Sequence, residues 1–96
     1  MNARYTPEAA SLILRLHPEI KRLVRRAIAD LLADPLRGHA LHADLSGFRS
    51  YRVKGYRVLY QINDRDAVVE VHYVGRRRDV YESFQALLAK NDQNDQ

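Results

Sequence analysis

Cysteine is absent from this 96-residue chain, and so is any long hydrophobic run. The lack of cysteine excludes a disulfide framework and a cysteine-ligated zinc site, and it fits a reducing compartment. No apolar stretch approaches the roughly 20 residues that a membrane-spanning helix needs. The apolar run at residues 11–14 is short and is flanked by Pro7, Glu8 and Arg15, which is unlike a secretory signal. We therefore expect a soluble, cytoplasmic protein.

The chain is also too short for a second hydrophobic core. Ninety-six residues suit one domain with one modest core. We predict a single domain over residues 1–90. The remaining residues 91–96 read NDQNDQ and contain no apolar side chain, so we predict a disordered polar tail there.

Acidic residues are scarce in one part of the chain. Residues 49–78 contain eight Lys or Arg but only three Asp or Glu. Seven of the eight are arginine, whose planar guanidinium suits phosphate better than the lysine ammonium does. This distribution predicts a polyanionic partner, with a merely solvated basic surface as the alternative.

Two helices are predicted near the N-terminus. Thr6 can cap the first helix, and Pro7 and Glu8 suit its first turn. His17-Pro18 ends that helix and begins a second one, which should stop near Ala33 because the residue before Pro35 is disfavoured in the α conformation. Apolar residues recur with helical spacing in both segments. The pattern predicts an αα-hairpin.

Strands are predicted for residues 2–5, 48–53, 56–62 and 67–74, and residues 35–47 are read as a loop. In the last three strands, alternate side chains are apolar and should cover the helical hairpin. They are Tyr51, Val53, Tyr56, Val58, Tyr60, Ile62, Val69, Val71 and Tyr73. A short helix at residues 80–89 should pack through Phe84, Leu87 and Leu88 on the other face of the sheet. The predicted class is α+β: an N-terminal αα-hairpin on a small, mainly antiparallel four-stranded sheet, with a short C-terminal helix.

A tight hairpin about Lys54-Gly55 would place Arg52 directly opposite Arg57. Two like charges across a ladder destabilise a sheet. The pair is tolerable if a ligand supplies negative charge, and a phosphodiester group does so through paired hydrogen bonds. We therefore predict a cationic surface that binds phosphate. The alternative is that Glu70 neutralises one arginine and the others face solvent.

His72 is a candidate acid or base beside this arginine pair. If Asn63 pairs with Asp66 at the second turn, Arg57 lies opposite His72, and the three side chains form one row. Neighbouring positive charges favour a neutral imidazole, which can accept a proton. A one-residue change of register would remove His72 from the row.

Metal binding has little support in the sequence. His39 and His42 in the segment HALH suggest a metal site, but the loop offers no cysteine and only Asp44 as a nearby acidic side chain. The acidic residues form no paired site of the kind used in metal-assisted hydrolysis. We expect no metal and no other cofactor.

The chain resembles the RelE/ParE superfamily of type II toxin–antitoxin toxins over roughly residues 4–89. The resemblance is carried by the order of the segments: an αα-hairpin, then RVKGYRVLY at residues 52–60, then GRRRDVY at residues 75–81, then a short helix. It implies a toxin that a cognate antitoxin, RelB-like or other, silences. In the RelE branch the toxin enters the ribosomal A site and cleaves mRNA there.

The resemblance also assigns roles to individual residues. Arg52 takes the place of a basic strand residue that contacts the scissile region, and Arg57 resembles an arginine that steadies the phosphate. Arg77 resembles an arginine that stabilises the transition state or the leaving group. Tyr81 resembles a tyrosine that stacks on the substrate base. Four further basic side chains are predicted RNA contacts: Arg49, Lys54, Arg76 and Arg78.

The chain departs from the RelE pattern at Ser50, where some members have an additional lysine. A lysine base is therefore missing or moved, and His72, Tyr81 or an arginine acting with a ribosomal group could replace it. The departure also keeps the ParE branch open, whose members share the fold and inhibit DNA gyrase. Retention of Arg52, Arg57, Arg77 and Tyr81 favours RelE.

Overall fold

Five strands form one mixed sheet, flanked on both faces by helices. The computed structural model describes the backbone of residues 1–94 and the side chains of residues 1–91. The sheet order is β1-β5-β4-β3-β2; β1 runs parallel to β5, and the other neighbours are antiparallel. The elements are β1 (Asn2–Tyr5), α1 (Pro7–Leu14), α2 (Pro18–Ala33), β2 (His39–Ala40), β3 (Arg49–Val53), β4 (Tyr56–Asn63), β5 (Val68–Arg76) and α3 (Val80–Asn94). The predicted α+β class is confirmed, with five strands where four were predicted.

The additional strand is β2, inside the segment that was predicted to be a loop. It has two residues and lies between 3-10 turns at Pro35–Arg37 and Ala43–Leu45. It pairs antiparallel with β3, so that His39 lies opposite Ser50 and Ala40 opposite Arg49. Two residues are too few to show an alternating pattern, which is why the sequence did not reveal this strand.

The predicted helical hairpin is confirmed, although α1 ends at Leu14, before the predicted break at His17-Pro18. The Thr6 hydroxyl accepts a hydrogen bond from the Ala9 N–H at 3.1 Å and so caps α1. The second helix ends at Ala33, and Asp34 before Pro35 has an extended φ of −147°. The start of α1 and the end of α2 are therefore set by residues adjacent in sequence rather than by tertiary packing.

Two hydrophobic clusters lie on opposite faces of the sheet. The larger cluster packs α1 and α2 against the sheet, and the smaller one packs α3 and the segment before β3 against it. The larger contains Ala9, Ile13, Val24, Ala27, Ile28, Leu31, Val53, Val58, Tyr60, Val69, Val71 and Val74. The smaller contains Leu45, Leu59, Val80 and Phe84, with Leu87 and Leu88 partly buried against it. The predicted packing of the C-terminal helix is confirmed, and Val80 joins the three predicted residues.

The predicted register between β4 and β5 is wrong. Asn63 lies opposite Val68 rather than Asp66, and a bulge interrupts the ladder between Leu59 and Tyr60. Since Leu59 pairs with Tyr73 and Tyr60 with Val71, the extra residue in β5 is His72. A bulge reverses which side chains face each side of the sheet beyond it.

The bulge changes the environment of two apolar side chains. Val74 is buried against α1 and α2. Tyr73 packs with the α3 cluster, although it was predicted to cover the helical hairpin. Arg57 lies opposite Gly75, so the predicted row of Arg52, Arg57 and His72 does not form. An alternating sequence pattern contains no signal for a single inserted residue.

The C-terminal helix is longer than predicted. It continues through Asn94, so the backbone of residues 91–94 is helical where a disordered tail was predicted. Residues 95 and 96 of that predicted tail lie outside the described residues. None of the helices in the described part of the chain has the length and apolar character to cross a membrane.

Replacing Gly38 by alanine should destabilise the fold, because the backbone there lies against the sheet. A Cβ at this position would lie 2.5 Å from the Tyr60 hydroxyl oxygen and 2.6 Å from the Ser50 carbonyl oxygen. Tyr60 is fully buried and cannot move aside. We expect Gly38→Ala to lower the free energy of unfolding by about 1–3 kcal/mol. Gly55→Ala is the matched control, since a Cβ there meets nothing within 4 Å. Equal urea midpoints for the two variants would contradict this account.

Candidate functional site

The β3–β4 hairpin brings two arginines together. Arg52 lies opposite Arg57, Val53 opposite Tyr56 and Tyr51 opposite Val58, which confirms the predicted register. Lys54 occupies the turn with a φ of 52° and is exposed. The Arg52 and Arg57 positions share the sheet face on which α3 packs, and Arg52 is exposed there. We call this pair the arginine pair.

Ser50 links Arg57 to α3. Its side chain is fully buried, and its hydroxyl oxygen accepts a hydrogen bond from the Arg57 guanidinium at 3.2 Å. The same oxygen lies 3.1 Å from the hydroxyl of Tyr81, the second residue of α3. The Arg57 guanidinium carbon also stands 5.9 Å from the centre of the Tyr81 ring, in cation–π contact. Arg57 is therefore held in a defined orientation by two neighbours.

Only one hydrogen bond of this cluster has a fixed direction. An arginine only donates, so Ser50 accepts from Arg57, whereas either hydroxyl can be the donor between Ser50 and Tyr81. When Ser50 is the donor, the Tyr81 proton is left for a ligand. The serine that departs from the RelE pattern thus connects two predicted site residues.

An open groove of about 310 Å³ runs beside the arginine pair. It lies between the hairpin and the segment that leads into β2. Its lining residues are Arg37, Gly38, His39, Ser50, Tyr51, Arg52 and Arg57. Three of the seven are arginines and none is acidic, so the groove suits an anion.

Glu70 does not neutralise the arginine pair. Its carboxylate lies 3.2 Å from Arg4 of β1, which also lies 3.3 Å from Asp66. Neither Arg52 nor Arg57 takes part in an ion pair with any side chain that the structure describes. The alternative reading, in which Glu70 neutralises one of the arginines, is therefore wrong, and the like charges of the pair are uncompensated within this part of the chain.

Other predicted RNA contacts lie apart from the arginine pair. Arg49 alternates onto the opposite face of the sheet, where its guanidinium donates to the Gly38 carbonyl at 2.7 Å and to the Tyr60 hydroxyl at 3.3 Å. Arg76 lies opposite Tyr56, with its guanidinium 5.6 Å from the ring centre. Both arginines thus make contacts within the fold on that other face.

Arg77 and Arg78 follow the end of β5 and are exposed. The Arg77 N–H donates to the Gly55 carbonyl at 2.8 Å, which ties this residue to the tip of the hairpin. Continuing the alternation of β5 from Gly75, which lies opposite Arg57, places Arg77 on the same face as the arginine pair. Arg52, Arg57, Arg77 and Tyr81 therefore border one region of the surface.

His72 lies away from this region, beneath α3. Its ring makes edge contacts with Phe48 and Phe84, at centroid distances of 5.1 and 6.3 Å. Its Nε2 atom is buried without a hydrogen bond, 3.6 Å from a Glu70 oxygen. Burial lowers the pKa of His72 below its usual value, although the Glu70 carboxylate acts in the opposite direction. These contacts indicate that His72 contributes to packing beneath α3.

His39 lines this groove but was not among the site residues predicted from the sequence. It was considered only as a metal ligand with His42, but β2 places it opposite Ser50 and in the wall of the groove. Among the described residues, no group of three or more His, Cys, Asp or Glu side chains could hold a metal ion. The sequence signal for His39, a lone histidine in a loop, becomes informative only once β2 is recognised.

Comparisons with known proteins identify related toxins over most of the chain. Residues 3–81 match a family model described as the ParE toxin of type II toxin–antitoxin systems. The chain is 38% identical over 80 residues to Toxin RelG of Mycobacterium tuberculosis, which covers 81% of this chain and 92% of that protein.

Solved structures agree with these matches. The toxin–antitoxin complex RelBE from M. tuberculosis contains a chain that superposes with a TM-score of 0.72 at 35% identity, over 79% of this chain and 96% of that one. The YoeB/ParE toxin from Agrobacterium tumefaciens gives a TM-score of 0.70 at 18% identity, over 80% and 99%. At that identity the second likeness concerns the fold alone.

The half-buried His72 should make the fold sensitive to mild acid. Because the pKa of His72 is lowered on folding, the unfolded chain binds a proton more readily. We expect the free energy of unfolding to be fully retained above about pH 6.5 and to fall as the pH drops through the lower folded pKa. His72→Gln should flatten this decline below about pH 6.5, measured by urea denaturation. His42→Gln, which removes an exposed histidine, should leave it unchanged; an equally steep decline in His72→Gln would contradict the assignment.

Proposed function

Because the chain belongs to the ParE toxin family of type II toxin–antitoxin systems, within the RelE/ParE superfamily, we propose that it is a toxin that cleaves mRNA in the ribosomal A site. Its action would then take place in the cytoplasm and stop translation. The observation that carries this proposal is the arginine pair. Two arginines paired across the hairpin, without a carboxylate partner in the described part of the chain, stand beside a groove that no acidic residue lines.

The proposed reaction uses the 2′-hydroxyl of the RNA as the nucleophile. The 2′ oxygen forms a bond to phosphorus as its proton passes to a base, and the bond from phosphorus to the 5′ oxygen breaks. The electron pair of that bond stays on the 5′ oxygen, which takes a proton. The products are a 2′,3′-cyclic phosphate and a 5′-hydroxyl.

The arginines would act on the charge that develops during this step. Arg52 and Arg57 would bind the non-bridging oxygens of the phosphorane, and electrostatic stabilisation of this kind is usually the largest contribution to catalysis. Arg77, on the same face, would stabilise the leaving 5′ oxygen. Tyr81 would hold Arg57 in place and border the position of the substrate base.

An antitoxin would be the regulatory partner. The M. tuberculosis relative was solved as a toxin–antitoxin complex. We propose a cognate antitoxin, RelB-like, with an acidic segment that covers the arginine pair or an apolar helix that competes with α3. The ribosome and mRNA would be the remaining partners.

Inhibition of DNA gyrase is the second candidate function. It is favoured by one observation, the match to a family model of ParE toxins over residues 3–81. Inhibition of gyrase involves no cleavage of a phosphodiester bond, so we do not expect it to depend on the arginine pair or on the Ser50–Tyr81 link. The two functions therefore predict different effects of the same substitutions.

Cleavage products and site variants together distinguish the two functions. With ribosomes and mRNA, we expect the parent to generate 5′-hydroxyl ends, and Arg57→Ala and Arg77→Ala each to lower the rate at least tenfold, since a lost charge-assisted contact costs about 1.5–3 kcal/mol. Arg65→Ala, which removes an exposed arginine at the β4–β5 turn, is the control. A 5′-phosphate product would refute the mechanism. Intact mRNA together with inhibited gyrase supercoiling would establish the second function instead.

The two members of the arginine pair should differ in their effect on stability. Arg52→Gln relieves repulsion between like charges and should raise the free energy of unfolding by roughly 0.2–1 kcal/mol, an effect that shrinks with added salt. Arg57→Gln also removes the hydrogen bond to buried Ser50 and the contact with Tyr81, so it should not stabilise. Both variants should cleave more slowly. Denaturant unfolding at low and high salt checks the first part, and destabilisation by Arg52→Gln at low salt would contradict it.

A further inference from the structure

We infer that His39 is the general base of the cleavage reaction and accepts the proton of the attacking 2′-hydroxyl. The inference rests on the proposed function and adds the one group that the reaction still lacks. In RelE toxins that have it, the additional lysine stands where this chain has Ser50. Ser50 cannot replace that lysine as a base, because its hydroxyl is fully buried and bonded to Arg57 and Tyr81.

The register of β2 places His39 beside the phosphate-binding region. His39 lies directly opposite Ser50 in an antiparallel pair. Side chains at such positions project to the same face of the sheet, with Cβ atoms about 4.5–5.5 Å apart. The Ser50 hydroxyl is in turn 3.2 Å from the Arg57 guanidinium. An imidazole at this position is within reach of a phosphodiester bound by Arg57.

The other side chains of the groove are poor bases. Arg37, Arg52 and Arg57 remain protonated at any working pH and cannot accept a proton. The hydroxyl of Tyr51, in the same groove, receives a hydrogen bond from Arg37 at 3.4 Å. A neutral imidazole accepts a proton readily near neutral pH. His39 is thus the groove residue whose chemistry matches the missing step.

The position of His39 also leaves its imidazole available. The residue is exposed, and β2 is the edge strand of the sheet. No hydrogen bond from its side chain occurs among the residues whose side chains the structure describes. The charged residues that line the groove with it are Arg37, Arg52 and Arg57, from the turn after α2, from β3 and from β4, with Tyr81 of α3 beyond Ser50. The Arg37 guanidinium lies 3.8 Å from the Asp30 carboxylate of α2.

The proton transfer completes the reaction without a further reagent. The unprotonated imidazole nitrogen of His39 takes the 2′-hydroxyl proton while the bond from the 2′ oxygen to phosphorus forms. The leaving 5′ oxygen, stabilised by Arg77, takes a proton from solvent water. The imidazolium then returns its proton to solvent.

The test compares three histidine variants in single-turnover cleavage of ribosome-bound mRNA. His39→Gln should reduce the rate by about 10²–10⁴-fold, the usual contribution of a general base. His42→Gln is the matched control, since His42 is also exposed and belongs to the same HALH segment, and it should cleave like the parent. His72→Gln tests the other candidate base. A larger loss in His72→Gln than in His39→Gln would overturn the inference, as would parent-like cleavage by His39→Gln.

The pH dependence separates a base from a structural role. The parent rate should rise with pH as the general base loses its proton, and His39→Gln should lose this rise. A variant that is slower but keeps the parent profile would show that His39 acts only on structure, and would refute the inference. Parent protein that leaves mRNA intact would remove the proposed function and this role with it.

Binding supplies a readout that does not need cleavage. A short RNA with a 2′-deoxy nucleotide at the scissile position cannot react but keeps its phosphates. Its addition should shift the imidazole NMR signals of His39 and leave those of His42 unchanged. Shifts confined to His72, or equal shifts at His39 and His42, would overturn the placement of His39 at the phosphate.

Discussion

The hydroxyl of Tyr60 holds together the two parts of the chain that form the groove. Tyr60 is fully buried in β4, and its oxygen donates to the Pro35 carbonyl at 2.7 Å while accepting from the Gly38 N–H at 3.1 Å and from Arg49 at 3.3 Å. One buried oxygen thus satisfies two backbone groups of an otherwise irregular segment and the guanidinium of Arg49 in β3. Because that segment leads directly into β2, the same contacts fix the wall of the groove against the hairpin.

The arginine pair has a different physical basis, since it is a source of repulsion that the fold does not relieve. Arg57 is oriented by Ser50 and Tyr81, whereas Arg52 is exposed, and the carboxylate of Glu70 is bound to Arg4 instead. Natural proteins commonly accept such local costs at functional positions. In the proposed cleavage, Arg57 would offer the phosphate a fixed contact and exposed Arg52 an adaptable one.

The bulge at His72 decides which chemistry each face of the sheet presents. By inserting one residue into β5, it turns Val74 towards α1 and α2 and leaves Gly75 opposite Arg57. Gly75 has no side chain, and the space that a Cβ would take there is occupied by Val80 and Tyr73, so α3 packs closely against β5. His72 itself is half-buried and packs against Phe48 and Phe84, where its imidazole supports the packing of α3.

The sequence by itself determined the elements whose causes are local. The cap at Thr6, the stop before Pro35 and the hairpin at Lys54-Gly55 depend on residues within a few positions of one another, and each was predicted correctly. The arginine pair followed from that hairpin. Only the tertiary structure decided the register beyond the bulge, the existence of β2 and the extent of α3. An inserted residue leaves the alternating pattern intact, and a two-residue strand exists only because distant groups such as Tyr60 hold it. The position of His39 opposite Ser50 therefore depends on contacts between residues far apart in the chain, which no local pattern contains.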